Sequence, residues 1–185
     1  FDATKVNKAG AVLNREKLDW MSNQYLKSMN LEDLLVEFEH FLTVPGDADV
    51  EMVKKCIQVE RERASTFVEL NERIQNYFAA PQDVEDLSQV IVWKHSTKEQ
   101  TLAVLKEAAE QIVEMDLSTI ESIEQSVKAW IEEKGYSNGE VLSPLRLALS
   151  GMQRSASPFE YLWILGRESA LDRLKLATKR LENSN

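Results

Sequence analysis

The residues best equipped for chemistry in this chain are arginines beside short loops, and the chemistry they suit is recognition rather than catalysis. Arg146 lies in Pro144-Leu145-Arg146-Leu147-Ala148-Leu149-Ser150, between Asn138-Gly139 and Gly151. Its guanidinium offers planar N–H donors that match a base edge, a phosphate or an acidic side chain. Arg63 follows Glu60-Arg61-Glu62 and can pair locally with Glu60, Glu62 or Glu69. Arg154 and Arg167 suit phosphate neutralisation, or plain solvation on the surface. Ser157-Pro158-Phe159-Glu160 has the form of a capping box with Pro in the first helical position. A helix start also leaves N–H groups that can face phosphate or base acceptors.

Nothing comparable supports catalysis. His40 and His95 are far apart, and both read as structural or surface histidines. Cys56 has no His partner and reads as a buried thiol. CxxC, HExxH, P-loop and GxGxxG patterns are all missing. No carboxylate sits in a context that would raise its pKa for acid–base work. The chain by itself is therefore expected to be inactive as an enzyme and to hold no metal or cofactor. Trp20, Trp93, Trp130 and Trp163 sit on apolar helical faces and are expected in the core rather than stacked on bases.

Helical periods must position these residues. Asn14 is expected to cap a helix with Leu18, Met21, Tyr25 and Met29 on one face. Asn30 caps a second, from Leu31 to Leu42. Pro45-Gly46-Asp47 is a turn. Further helices are predicted over Asp49 to Val59, Ser65 to Phe78 (ended by Pro81), and Val84 to Trp93. Ser96-Thr97-Lys98-Glu99 and Ser118-Thr119-Ile120-Glu121 read as capping boxes for two more. Gly135 stops the second of these, and Tyr136 to Ser143 is expected as a loop. Ser143-Pro144 starts a short helix, Leu145 to Ser150, stopped by Gly151. Gly166 breaks the chain before a last helix, Ser169 to Leu181. The natural boundary lies near Met115 to Ser118, where long helices give way to short ones.

With 6 Gly, 4 Pro, 43% hydrophobic and 29% charged residues in 185, an all-α protein with real cores is expected. No apolar run approaches the roughly 20 residues of a membrane span, and no signal-peptide core is visible. The start at Phe1 rather than Met suggests a fragment or processed chain, and a single cysteine fits a reducing cytosol. The net charge of −9 is unevenly placed. Residues 1–27 carry five Lys/Arg against three Asp/Glu, and residues 134–185 carry eight against five, which leaves −14 in the middle. A phosphate backbone would be met at the ends and repelled by much of the middle.

Four segments, in order and at similar spacing, resemble the C-terminal portion of bacterial-type glutamyl-tRNA synthetases. They are Val6-Asn7-Lys8-Ala9-Gly10-Ala11-Val12-Leu13 with Lys17-Leu18-Asp19-Trp20-Met21 and Tyr25; Glu62-Arg63-Ala64-Ser65-Thr66-Phe67-Val68-Glu69-Leu70 with Tyr77-Phe78; Trp93-Lys94 with Leu102 and Leu105; and Pro144 to Gly151 with Ile164-Leu165-Gly166-Arg167-Glu168. The last is the most specific. Ser22 stands where the family has Asn, and Ala156 where it has Pro, with Pro158 two positions later.

The resemblance implies two small helical subdomains of the α-helical cage type, 30–116 and 117–185, after a stretch 1–29 that ends a stem-contact region. It implies that Arg146 contacts anticodon bases. Ser155, Ala156 and Pro158 would do so partly through backbone atoms. Arg63 would read the third anticodon base through O2 and N3 of cytosine, and Arg154 and Arg167 would meet phosphates. The implied parent enzyme ligates glutamate to its tRNA with ATP and Mg; this portion would position the tRNA and hold no catalytic site. Its implied partner is the tRNA for glutamate, not DNA or a membrane, acting as a monomer in the cytoplasm. The competing expectation is an acidic helical protein-interaction module, which accounts for the −14 middle but not for the order of the four segments. A free-standing hydrolase is disfavoured by the missing site chemistry.

Overall fold

The computed structural model describes residues 14–79 and 91–183. Among these there are eight helices and no strand: α1 (Arg15–Ser28), α2 (Leu31–Phe38), α3 (Val50–Glu60), α4 (Phe67–Phe78), α5 (Lys98–Glu114), α6 (Ile120–Lys134), α7 (Asn138–Ser150) and α8 (Pro158–Asn183). The all-α expectation holds. The segment Val6 to Leu13, Pro81, and most of the helix expected from Val84 to Trp93 lie outside the described residues.

Local chemistry starts the helices where short polar side chains can accept the first free N–H groups. Asn14 and Asn30 cap α1 and α2 as expected; Asp49, expected as the first residue of its helix, caps α3 instead, and Thr66 caps α4. Two capping boxes sit one residue later than the sequence pattern suggests. Thr97 pairs with Gln100 at the start of α5, and Thr119 with Ser122 at the start of α6. The hydroxyl nearest the first helical turn wins, and Gln or Ser three residues on closes the box as Glu would. The second helix ends at Phe38 and continues to Leu42 only as turns.

The largest correction is α7. The stretch 136–143, expected as a loop, is helical from Asn138 onward, and Pro144 lies inside the helix rather than at its start. Ser137 caps it: Glu140 N–H donates to the Ser137 hydroxyl, and Ser137 N–H donates to Glu140 Oε2 at 2.7 Å. Asn138-Gly139 carries a turn signal, but a Cβ at Gly139 would land on the Trp93 ring. Here glycine serves close packing. The full burial of Val141 and near-full burial of Leu145, Ala148 and Leu149 offset the hydrogen bond lost at Pro144.

One apolar cluster runs through the described helices, and α8 is its axis. It packs on α3, α4, α5, α6 and α7, while α2 reaches the cluster through α3. Leu162, Ala170 and Leu174 are fully buried there. Gly166 breaks α8 with φ 68° and ψ −178°, a combination that only glycine adopts without strain, as its position in the sequence suggests. Beyond the break, Arg173 is buried. Its guanidinium donates to Leu149 O (2.6 Å), Tyr77 O (2.6 Å) and Ala79 O (2.8 Å), carbonyls at the C-terminal ends of α7 and α4. Burial lowers its pKa. Beside it Tyr77 stacks on Tyr161 at 4.4 Å, and its hydroxyl donates to the buried Glu60 at 2.6 Å. Burial first, and then the Glu60 charge, pushes both phenols up.

The apolar face expected on α1 is a surface. Leu18, Met21 and Tyr25 are 44%, 52% and 63% exposed, and Trp20, expected in the core, is 61% exposed. Leu26 alone of that helix is buried. Trp130 is a core residue, whereas Trp93 and Trp163 are half-buried.

Candidate nucleic-acid interface

The C-terminal half of α7 presents Arg146 one turn before Gly151, where the helix closes and the irregular stretch 151–157 begins. Ser150 ties helix to loop: its hydroxyl donates to Arg146 O (2.8 Å) and accepts from Met152 N–H (3.0 Å). The Arg146 side chain is half-buried, and its Nε has no hydrogen-bond partner although it is closed off from solvent. No described carboxylate pairs with it, so the salt-bridged alternative does not hold. An orphaned buried N–H costs about 1–3 kcal/mol. The Nε atoms of Arg146 and Arg61 and the Trp130 indole N–H share this state, so the part of Arg146 that can meet a ligand is its outer guanidinium rather than Nε.

Arg63 lies in the turn between α3 and α4. None of its expected local partners holds it. Its Nη1 donates to Val59 O (2.9 Å), and its Nη2 donates to both oxygens of Glu160 (2.9 and 3.0 Å). Burial works against its charge, but the Glu160 carboxylate and then Glu60 hold its pKa above the usual value. Glu69 instead accepts from Arg73 and from Ser65 N–H, and Glu62 pairs with Lys27. Glu160 is also the third helical residue of the capping box that starts α8. Ser157 N–H donates to its Oε2 (2.7 Å), and its own N–H donates to the Ser157 hydroxyl (3.2 Å). One carboxylate therefore joins the α3–α4 turn to the capping box that starts α8, and holds Arg63 against it.

The loop before α8 offers backbone more than side chains. Ala156 is 2% exposed, Pro158 is buried, and the Ser155 hydroxyl donates to Ala156 O (2.9 Å). The capping box occupies the Ser157 and Glu160 N–H groups, and Pro158 has none. The expected anion-binding capacity of this helix start is correspondingly small. Arg154, exposed in the loop, makes no hydrogen bond or ion pair with any described residue. Arg167 is not equally available: its Nε and Nη2 donate to Ile112 O (3.1 Å) and Met115 O (2.7 Å), closing the C-terminus of α5. Such carbonyl capping is what a cation at a helix end does best.

Two participants escape a sequence reading. Glu160 is legible only as a cap, because its partner stands 97 positions away. Ser150 looks like a helix-end serine until its bridge to Met152 is seen. Cys56 is buried, as expected, and burial pushes its thiol pKa up. Among the described residues, no cluster of His, Cys, Asp or Glu could hold a metal ion, and no helix is long and apolar enough to cross a membrane.

Comparison with known proteins gives this geometry a context. The chain is 31% identical, over its whole length, to glutamate–tRNA ligase 1 of Caldanaerobacter subterraneus subsp. tengcongensis, and covers 38% of that protein. It is 29% identical to the glutamate–tRNA ligase of Moorella thermoacetica, with 97% of this chain and 37% of that protein aligned. The crystal structure of a glutamate tRNA ligase from Elizabethkingia meningosepticum, in complex with its amino acid, superposes with a TM-score of 0.82 at 30% identity. It covers 98% of this chain and 35% of that one. The glutamate-tRNA synthetase of Elizabethkingia anophelis gives a TM-score of 0.78 at 29% identity, over 97% and 34%. The chain thus spans a little over a third of the length of these relatives. A family model described as an anticodon binding domain matches residues 24–178, which include Arg63, Arg146 and the loop before α8, and the chain belongs to that family.

Proposed function

We propose that this chain is the anticodon-reading portion of a glutamate–tRNA ligase, and that it binds the anticodon loop of the tRNA for glutamate through Arg146, Arg63 and the backbone of Ser155, Ala156 and Pro158. The observation that carries the proposal is the half-buried Arg146 guanidinium, on which no described carboxylate sits, beside an irregular, Arg-bearing loop inside the matched anticodon-binding region. Sequence-specific RNA recognition mostly takes unstacked loop bases, whose edges offer acceptors to such a donor. Arg154 adds a phosphate contact. Arg167 is left with a structural role first and a phosphate role only through its remaining donors. Residues 30–116 and 117–185 act as the two helical subdomains that grip the loop from either side, following the stretch 1–29 that ends a stem-contact region.

In the whole protein, glutamate is activated with ATP and Mg and passed to the 3′ end of the tRNA by a catalytic portion that this chain does not contain. The enzyme works as a monomer in the cytoplasm. The competing module for protein partners is disfavoured by the family match.

The test is a fluorescence titration of the 185-residue chain with the glutamate tRNA transcript, and with a transcript whose anticodon bases are changed, at two salt concentrations. Binding should weaken with salt and should fall when the anticodon is changed. Equal affinity for both transcripts would refute anticodon reading, and no affinity for either would refute RNA binding altogether.

A further inference from the structure

We infer that Glu160 is a positioning residue for base discrimination: it fixes the Arg63 guanidinium against the α8 cap so that its remaining N–H groups face the third anticodon base. This rests on the anticodon-reading function proposed above and deepens it.

The geometry separates this contact from an ordinary surface ion pair. A free surface pair is worth little because two long side chains must be ordered to make it. Here both partners are already held. Glu160 has a side chain only 17% exposed, with Oε2 locked by Ser157 N–H at 2.7 Å. Arg63 is locked at its other nitrogen by Val59 O at 2.9 Å. The plane of the guanidinium is therefore set from two sides. A guanidinium has five N–H donors. With Nη2 turned to the carboxylate and one Nη1 hydrogen on Val59, the Nε hydrogen and the second Nη1 hydrogen have no partner among the described residues. Arg63 remains 37% exposed. Because Glu160 belongs to α8 and Arg63 to the α3–α4 turn, the pair also sets the distance between the two parts of the proposed interface.

A carboxylate that merely competed with RNA for Arg63 would need to swing aside. The Ser157 N–H bond opposes that, because the Glu160 carboxylate must give it up to swing aside. Fixing a donor before the ligand arrives raises discrimination by reducing the number of wrong geometries it can adopt.

Glu160→Gln separates the two duties of this side chain. Glutamine at the third helical position still closes a capping box, but it loses the charge and one of the two acceptors that hold Arg63. The measurement is the affinity of the 185-residue chain, parent and variant, for four anticodon stem-loop RNAs that differ only in the third anticodon base. Thr97→Ala, which removes the α5 cap away from this site, serves as a control for general destabilisation.

The parent should prefer cytosine by about tenfold or more. In Glu160→Gln that ratio should fall toward one, with the affinities for the other three bases changing less than about twofold. Thr97→Ala should lower the melting temperature and leave the ratio unchanged. Three results would overturn the inference alone: an unchanged ratio in Glu160→Gln, tighter cytosine binding by Glu160→Gln, or an equal loss of ratio in Thr97→Ala. A parent that binds none of the four RNAs overturns the anticodon-reading function and this inference with it.

Discussion

Replacing Arg146 by methionine should make the protein more stable and a worse ligand for RNA. The structure sets both signs. Nε is closed off from solvent and donates to nothing, and no described acid pairs with the guanidinium. An unsatisfied buried donor costs about 1–3 kcal/mol. Methionine keeps most of the apolar stem and removes the donor. Allowing for partial hydration of the outer nitrogens, a gain of about 1 kcal/mol is expected, or roughly 2–4 °C in melting temperature for a chain of this size. Loss of a base-reading arginine costs about 1–3 kcal/mol of affinity, which is roughly 5- to 150-fold in Kd. Urea unfolding and RNA titration on the same preparation check both numbers. A methionine variant that unfolds more than about 1 kcal/mol more easily, or that binds RNA as well as the parent, would show the guanidinium to be structural. Opposite changes in stability and binding are the mark of a group retained for function.

Arg173→Met should be destabilising by about 1–3 kcal/mol or more, because it leaves the carbonyls of Leu149, Tyr77 and Ala79 without their donor; a urea midpoint close to the parent's would contradict this. Gly166→Ala should cost about 1–3 kcal/mol through the strained φ of 68°, and an unchanged melting temperature would mean that α8 re-forms across the break. Arg154→Ala should lower RNA affinity equally for all anticodons and reduce the slope of log K against log salt by about 0.7; a base-dependent loss would point to base contact instead. The pKa of Glu69 lies below its usual 4.5 because, against the opposing effect of burial, Ser65 N–H and Arg73 stabilise its charge. Its contribution is therefore present above pH 4.5 and lost as pH falls through the lowered folded value. Unfolding measured above and below that range should show a smaller acid loss in Glu69→Gln than in the parent, and an identical loss would remove Glu69 from the account.

Several parts of the fold were legible locally. Asn14, Asn30 and the Ser157-Pro158-Phe159-Glu160 box start helices because a short side chain reaches free N–H groups within three residues, an interaction that needs no distant partner. The break at Gly166 is local too. The start of α7 was not: Asn138-Gly139 and Pro144 both point to a turn, and they are overruled by a ring contributed from Trp93 and by the buried face of Val141 and Leu145. The α1 stripe failed in the opposite direction. Its spacing is that of a packed face, but periodicity does not say whether a neighbour lies over it.

Composition and spacing by themselves determined an all-helical chain and singled out the arginines near its C-terminal loops. Those properties follow from contacts a few residues apart, which a one-dimensional pattern encodes. The tertiary structure decided which arginines remain available. Arg167 closes the end of α5, Arg173 joins the ends of α4 and α7, Arg63 is held by Glu160, and Arg146 is left half-buried with no described carboxylate on it. A guanidinium is satisfied by whichever carbonyl or carboxylate folding brings within about 3 Å, and for Arg63, Arg167 and Arg173 the deciding partner comes from a distant element of the chain.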